Sequence, residues 1–188
     1  MGVLDLLYIY DATIDFAENR EDADYTIAHK GNLVQLVEKL RDLVAKGISF
    51  RRAVVTCHGQ PGMIILHDDM ISAWGLTKRC ANQGLERLFP VEGARLSFNG
   101  CEVRAEPGGK EFVTTAAQIF LRSRGGTAFA MTSNGDPFPL PLIHSGHVVH
   151  FGGGIVSASV AAGGTVIPEP PLVWPDPPNG RDNVGNKI

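Results

Sequence analysis

The chain has few of the features that mark several protein classes. It has only three cysteines, Cys57, Cys80 and Cys101, and no CxxC pair. A disulfide framework is therefore not expected, and a reducing compartment fits. It has no charge excess: 17 Lys+Arg against 20 Asp+Glu leave a formal charge of −3. That balance argues against a nucleic-acid surface or an anionic-membrane surface. No apolar run approaches the roughly 18 residues that span a bilayer. The sequence does not open with a basic stretch followed by an apolar one, and "MGVLDL" lacks the Ser or Thr of a myristoylation signal. These absences lead to the expectation of a cytoplasmic protein, or an effector delivered without a recognisable leader, that engages neither nucleic acid nor membrane. No internal repeat of useful length is present.

What remains is the composition of one globular domain: 188 residues, 44% hydrophobic and 20% charged. Residues 3–11, within "VLDLLYIYDAT", read as a buried strand ending near Asp11. "NLVQLVEKLRDLVAKG" (32–47) places Leu33, Leu36, Val37, Leu40, Leu43 and Val44 at helical spacing, with Asn32 as N-cap and Gly47 as stop. "RRAVVTCHG" (51–59) is a second strand running into a glycine. "GMIILHDDMI" (62–71) reads as one or two short strands of a hairpin. A helix capped by Thr77 is predicted over 76–89, weakened by Gly84. Strands over 94–100 and 127–132 flank a helix over 108–126, whose Phe112, Ala116, Ile119 and Phe120 share one face. Strands alternating with crossover helices predict an α/β fold, a mostly parallel sheet flanked by helices on both faces. After residue 136 the pattern changes, with Pro-interrupted and Gly-broken stretches. Residues 1–167 are taken as the domain and the Pro-rich 168–188 as a tail or linker, a possible contact to a partner or parent protein.

In parallel sheets, sites gather at the carboxyl ends of the strands. Three predicted strands end in Asp11, in His58-Gly59 and in Cys101. Cys101 has three readings: a core residue, a metal ligand or a nucleophile. Free Cys is among the most buried residue types, so packing is the ordinary reading. A thiol nucleophile instead needs a nearby base to take its proton and return it to the leaving group. His58, on a neighbouring strand end, supplies one if the two strands are adjacent. The amides of Gly59 and Cys101 are then oxyanion-hole candidates. Cys57 abuts His58 on the same strand, where the two side chains point to opposite faces. Cys80 reads as packing.

At these residues the chain resembles a known family. "AVVTCHGQPGMIIL" is similar to the apolar strand, His-Gly and following hairpin of caspase-like cysteine peptidases. "LSFNGCEVRAEPGGKEF" followed by "AAQIFLRSRGGTAFAMT" is similar to that clan's strand, nucleophilic Cys, crossover helix and next strand. The bacterial CHAT-type branch is nearest in flavour, and the resemblance covers roughly residues 3–135. It implies a caspase–hemoglobinase-like three-layer sandwich and a cysteine endopeptidase acting on protein or peptide substrates. His58 would be the general base and acid, Cys101 the nucleophile, and Gly59 part of the oxyanion hole. The chain departs from many members in having Gly100 before the Cys. In several branches an acidic residue at the end of the first strand lines the pocket for a basic P1 side chain, which points to Asp11; a carboxylate pairs well with Arg or Lys there, and a turn Asp before Ala12-Thr13 is the equal alternative. Asp136 is a second pocket candidate and also a common turn starter. Asn99 completes the substrate-binding set. A caspase-like module without catalysis, serving in binding or regulation, is the other function class.

No metal or cofactor is expected. "HDD" (67–69) reads as a solvated acidic pair in a hairpin turn. His144, His147 and His150 of "HSGHVVH" alternate across a strand, which is poor ligand geometry without a carboxylate or Cys partner.

Overall fold

Ten strands and three α-helices are built along residues 2–14, 22–100, 103, 108–131 and 155–168, which are the residues the computed structural model describes. Strand β1 (Leu4–Asp11) is followed by β2 (Tyr25–His29) and helix α1 (Leu33–Ala45). Then come β3 (Phe50–Thr56), the three short strands β4 (His58–Gln60), β5 (Met63–Leu66) and β6 (Asp69–Ser72), and α2 (Ala73–Cys80). After a 3-10 turn at Leu85–Leu88 follow β7 (Ala94–Asn99), α3 (Gly109–Phe120), β8 (Gly126–Met131), β9 (Ile155–Val160) and β10 (Val166–Ile167).

The main sheet has the order β10-β9-β8-β7-β3-β1-β2. β2, β1, β3, β7 and β8 run parallel, and β9 and β10 run antiparallel to their neighbours. The mostly parallel α/β sheet expected from the sequence is therefore present; β1, β3, β7 and β8 fall within a residue of the predicted strands, and β2 was not predicted. Period-2 alternation decides which side chains enter the core. Leu7 and Ile9 of β1, Ala53 and Val55 of β3, Leu96 and Phe98 of β7, and Ala128 and Ala130 of β8 sit in register on one face. All three described helices pack there, in a core that includes Leu36, Leu40, Leu76, Phe112 and Ala116. Leu6, Tyr8, Tyr10 and Val54 point to the other face, where Ile14 joins them and Ala12 and Ala23 pack alongside. Asp24 fastens that connection by accepting from the Asp5 and Leu6 amides.

Helix α1 starts where its cap dictates. The Asn32 side chain accepts from the Gln35 amide and the Gln35 side chain accepts from the Asn32 amide, a reciprocal capping box. The helix predicted over 76–89 needs correction. Ser72 caps α2 by accepting from Gly75, and Thr77 lies inside the helix with its hydroxyl on the Ala73 carbonyl. The helix stops at Cys80, and Gly84, at φ +75°, restarts the chain into the 3-10 turn. No L side chain takes that backbone region as cheaply.

The strand pair predicted near 62–71 is a separate antiparallel sheet, β4-β5-β6. Its β5–β6 hairpin turns on His67, at φ 56°, and Asp68. The expectation of a solvated acidic pair holds for Asp68 and is corrected for Asp69. Asp69 accepts from the Leu33 amide at 2.7 Å and from Arg79 at 2.8 Å. One carboxylate thus ties the small sheet to the first turn of α1, where an anion is favoured, and to α2.

Candidate functional site

β3 and β7 are hydrogen-bonded neighbours, in register from Arg52↔Arg95 to Thr56↔Asn99. Both carboxyl ends therefore open at the same place. The chain leaves β3 at Cys57, whose amide donates to the Asn99 carbonyl at 3.2 Å, and turns into β4. His58 is the first residue of β4 and is exposed. Gly59 follows, half-buried, and pairs with Ile64 of the hairpin. Asn99 ends β7, half-buried, with its carbonyl committed to Cys57. His58, Gly59 and Asn99 are thus brought to one edge.

Cys101 lies outside the described residues. Its flanks do not. Gly100 is buried, and a Cβ there would lie 3.1 Å from the His58 carbonyl, 3.2 Å from the Cys57 sulfur and 3.0 Å from a Val103 methyl. The residue before Cys101 is therefore a glycine because the β3–β4 corner is packed against it. Val103, buried, accepts from the Gly62 amide at 3.1 Å. So the chain on both sides of Cys101 is held against the β4–β5 hairpin, one side at His58 and the other at its turn.

Of the rival thiols, Cys57 points into the core and is buried, as strand alternation requires. Cys80 is buried in α2, and burial pushes its thiol up to about 12, against a small opposing effect from Arg79. It is held as a neutral thiol, which is a poor nucleophile.

Asp11, read from the sequence either as a pocket carboxylate or as a turn residue, sits at a turn with 0% of its surface exposed. Its Oδ1 accepts from the Thr13 amide at 2.9 Å and the Thr13 hydroxyl at 2.6 Å, and its Oδ2 accepts from the His67 amide at 2.6 Å. Burial alone would raise its pKa. The Thr13 and His67 hydrogen bonds, with help from the His58 charge, outweigh burial and leave it lowered. Asp11 is an internal clamp that ties the end of β1 to its own turn and, through the β5–β6 turn, to the small sheet that includes Gly59.

Beside it stands a residue the sequence reading passed over. His29 ends β2 in register with Asp11 and is 1% exposed. Neither ring nitrogen makes a hydrogen bond of normal geometry among the described residues, although the Gly31 and Asn32 backbone lies close enough to favour the proton. Burial dominates and lowers its pKa, so the ring is neutral. The signal was available: "YTIAH" is a short β-branched and aromatic run between a polar stretch and the Asn32 cap.

Asp136, His144, His147 and His150 lie outside the described residues, as does the segment 169–188. Among the described residues no group of three or more His, Cys, Asp or Glu side chains is placed to hold a metal ion, and no helix is long and apolar enough to cross a membrane. Comparisons of the chain with protein-family models, with curated proteins and with solved structures gave no match.

Proposed function

We propose that this chain is a cysteine peptidase of the caspase-like kind, with His58 and Cys101 as its dyad. The observation that carries the reading is the junction of β3 and β7. An exposed His follows one strand, and the glycine preceding a Cys at the end of its hydrogen-bonded neighbour packs on that histidine's own carbonyl. Consecutive Cα atoms are about 3.8 Å apart, so residue 101 is one peptide unit from that contact.

The chemistry assigned to these residues is acyl transfer. The His58 ring takes the thiol proton as the Cys101 sulfur attacks the substrate carbonyl carbon. The amides of Gly59 and Cys101 donate to the oxygen as it becomes negative. His58 then protonates the departing amine, and water, deprotonated by the same ring, releases the acyl group. In the small sheet, His58, Ile65 and Met70 lie directly opposite one another across β4, β5 and β6. Cross-strand partners share a face, so a peptide engaged at His58 has an apolar shelf at its side. Cleavage after Arg or Lys is part of the proposal, with Asp136 rather than Asp11 as the anion to test, because both Asp11 oxygens already serve the fold.

Iodoacetamide labelling tests the dyad. Cys101 should be alkylated well before Cys57 and Cys80, and His58→Ala should shift its alkylation to higher pH. A peptide-library digest, run beside Cys101→Ala, should give products only with the intact thiol. Equal labelling of the three thiols, or cleavage that survives Cys101→Ala, would reject the proposal.

A further inference from the structure

The two edges of the main sheet differ. One is β10, two residues long; the other is β2, Tyr25–His29, which contains neither Pro nor a charged residue. Among the described residues no strand lies beyond β2. In a parallel pair, alternate residues turn their N–H and C=O toward the neighbour and the others turn away. The His29 carbonyl accepts from Ala12 at 3.0 Å, which faces the odd-numbered residues toward β1. The alternation then turns the peptide groups of Thr26 and Ala28 outward, and both residues are exposed. Natural sheets usually shorten, charge or cover such an edge.

Alongside this edge runs a groove of about 300 Å³ between β2 and α1. Tyr25 and Ala28 form one wall and Leu43 is buried beneath; Lys39, Asp42 and Lys46 form the other wall. They stand at i, i+3 and i+7, so they line one side of the helix. Among the described residues neither lysine makes an ion pair. Two unpaired cations against one carboxylate give the groove a positive wall.

We infer that the β2–α1 groove binds an extended acidic peptide, which adds to the sheet as a strand beside β2 and sets its acidic side chains against Lys39 and Lys46. Main-chain hydrogen bonds to Thr26 and Ala28 supply the general affinity, and the alternate side chains facing α1 supply the selectivity. The spacing fits. Seven helical residues rise about 11 Å; acidic residues four apart on a strand span about 13 Å and leave an uncharged one between them, opposite Asp42. A second copy of this chain is the poorer occupant, since pairing β2 with β2 would bring the lysines of the two copies together.

The test uses the full chain and a synthetic hexapeptide with Glu, Thr and Glu at alternate positions and Val between them. Two controls accompany it: one with Lys in place of Glu, and one with the Glu sequence but N-methylated at alternate residues. Binding of the Glu peptide should shift the Thr26 and Ala28 amide signals and slow their hydrogen exchange. Lys39→Glu combined with Lys46→Glu should weaken it at least tenfold; both positions are exposed, and circular dichroism should show the fold unchanged. The Lys and N-methylated peptides should fail. Equal binding of the N-methylated peptide would show charge attraction without strand addition. Equal binding of the Lys peptide, or unchanged exchange at Thr26 and Ala28, would likewise overturn the inference.

Discussion

β1 and β3 lie side by side, and each ends in a polar stretch that invites a functional reading, Asp11 on one as a pocket residue and His58 on the other as a base. Asp11 is sealed from solvent, with three donors arranged on its two oxygens. His58, one residue beyond the thiol that closes β3, is exposed on the small sheet. The difference comes from what each chain does next. After Asp11 the backbone folds back at once, Ile14 donating to the Asp11 carbonyl at 3.0 Å, and the hairpin turn at His67 covers the carboxylate. After His58 the chain runs out into a hairpin whose apolar side, Ile64, Leu66 and Ile71, is buried, leaving His58 on its other face. A polar strand end becomes structural when the following turn satisfies it, and available for chemistry when the following segment carries it away from the core. The two ends remain linked, because the clamp on Asp11 holds the β5–β6 turn of the small sheet to which His58 belongs.

This contrast can be broken at either end. The largest effect belongs to His58→Ala. On the proposed dyad, loss of a general base and acid costs on the order of 10²- to 10⁴-fold, so kcat/KM on a cleaved peptide should fall about 10³-fold while stability to urea moves by less than about 0.5 kcal/mol. Asp11→Ala should do the reverse first. It strands three part-buried donors, each at the low end of about 1–3 kcal/mol, for a total near 3 kcal/mol, or a fall in Tm of about 6–12 °C by calorimetry. If Asp11→Ala leaves Tm unchanged, the clamp is not structural.

Gly100→Ala should cost about 1–3 kcal/mol, because an added methyl meets the His58 carbonyl and Cys57 sulfur in a packed corner. On the proposed dyad its activity should fall more than its stability explains, since Gly100 directly precedes Cys101. A variant with full stability and full turnover would separate Gly100 from the site. The smallest effect at neutral pH is electrostatic. The unfolded chain binds a proton on His29 near its ordinary 6.5, and the folded chain, with its pKa lowered, binds it only at lower pH. Stability is therefore complete above that value and declines as the pH falls below 6.5, with Lys39 disfavouring the proton and Asp11 favouring it. Asp11, lowered from 3.8, adds a second decline below about that pH. Urea titrations of His29→Leu should lack the first decline and keep the second.

The parts of the fold that the sequence made legible are those whose physics is local. The apolar, β-forming runs at 3–11, 51–57 and 94–100 and the 3.6-residue spacing from Leu33 to Leu43 are properties of short segments, and the Asn32 cap lies three residues from its partner. The parts that were not legible depend on distant residues. Thr77 was read as a cap, but α2 begins where β6 delivers Ser72. Asp69 was read as solvated because its partners, Leu33 and Arg79, lie 36 and 10 positions away. β2 was missed because an edge strand of five residues carries little periodicity, and His29 went with it.

The sequence by itself determined an α/β chain with a parallel sheet, a His-Gly and a Gly-Cys at strand ends, and a core of ordinary size, since backbone preference and hydrophobic period need no partner. Only the tertiary structure decided which polar ends stay open. Burial of a carboxylate such as Asp11 depends on donors at Thr13 and His67 arriving together, and that arrival is a property of how the segments pack: an ionised group leaves water only where packing replaces the hydrogen bonds it gives up.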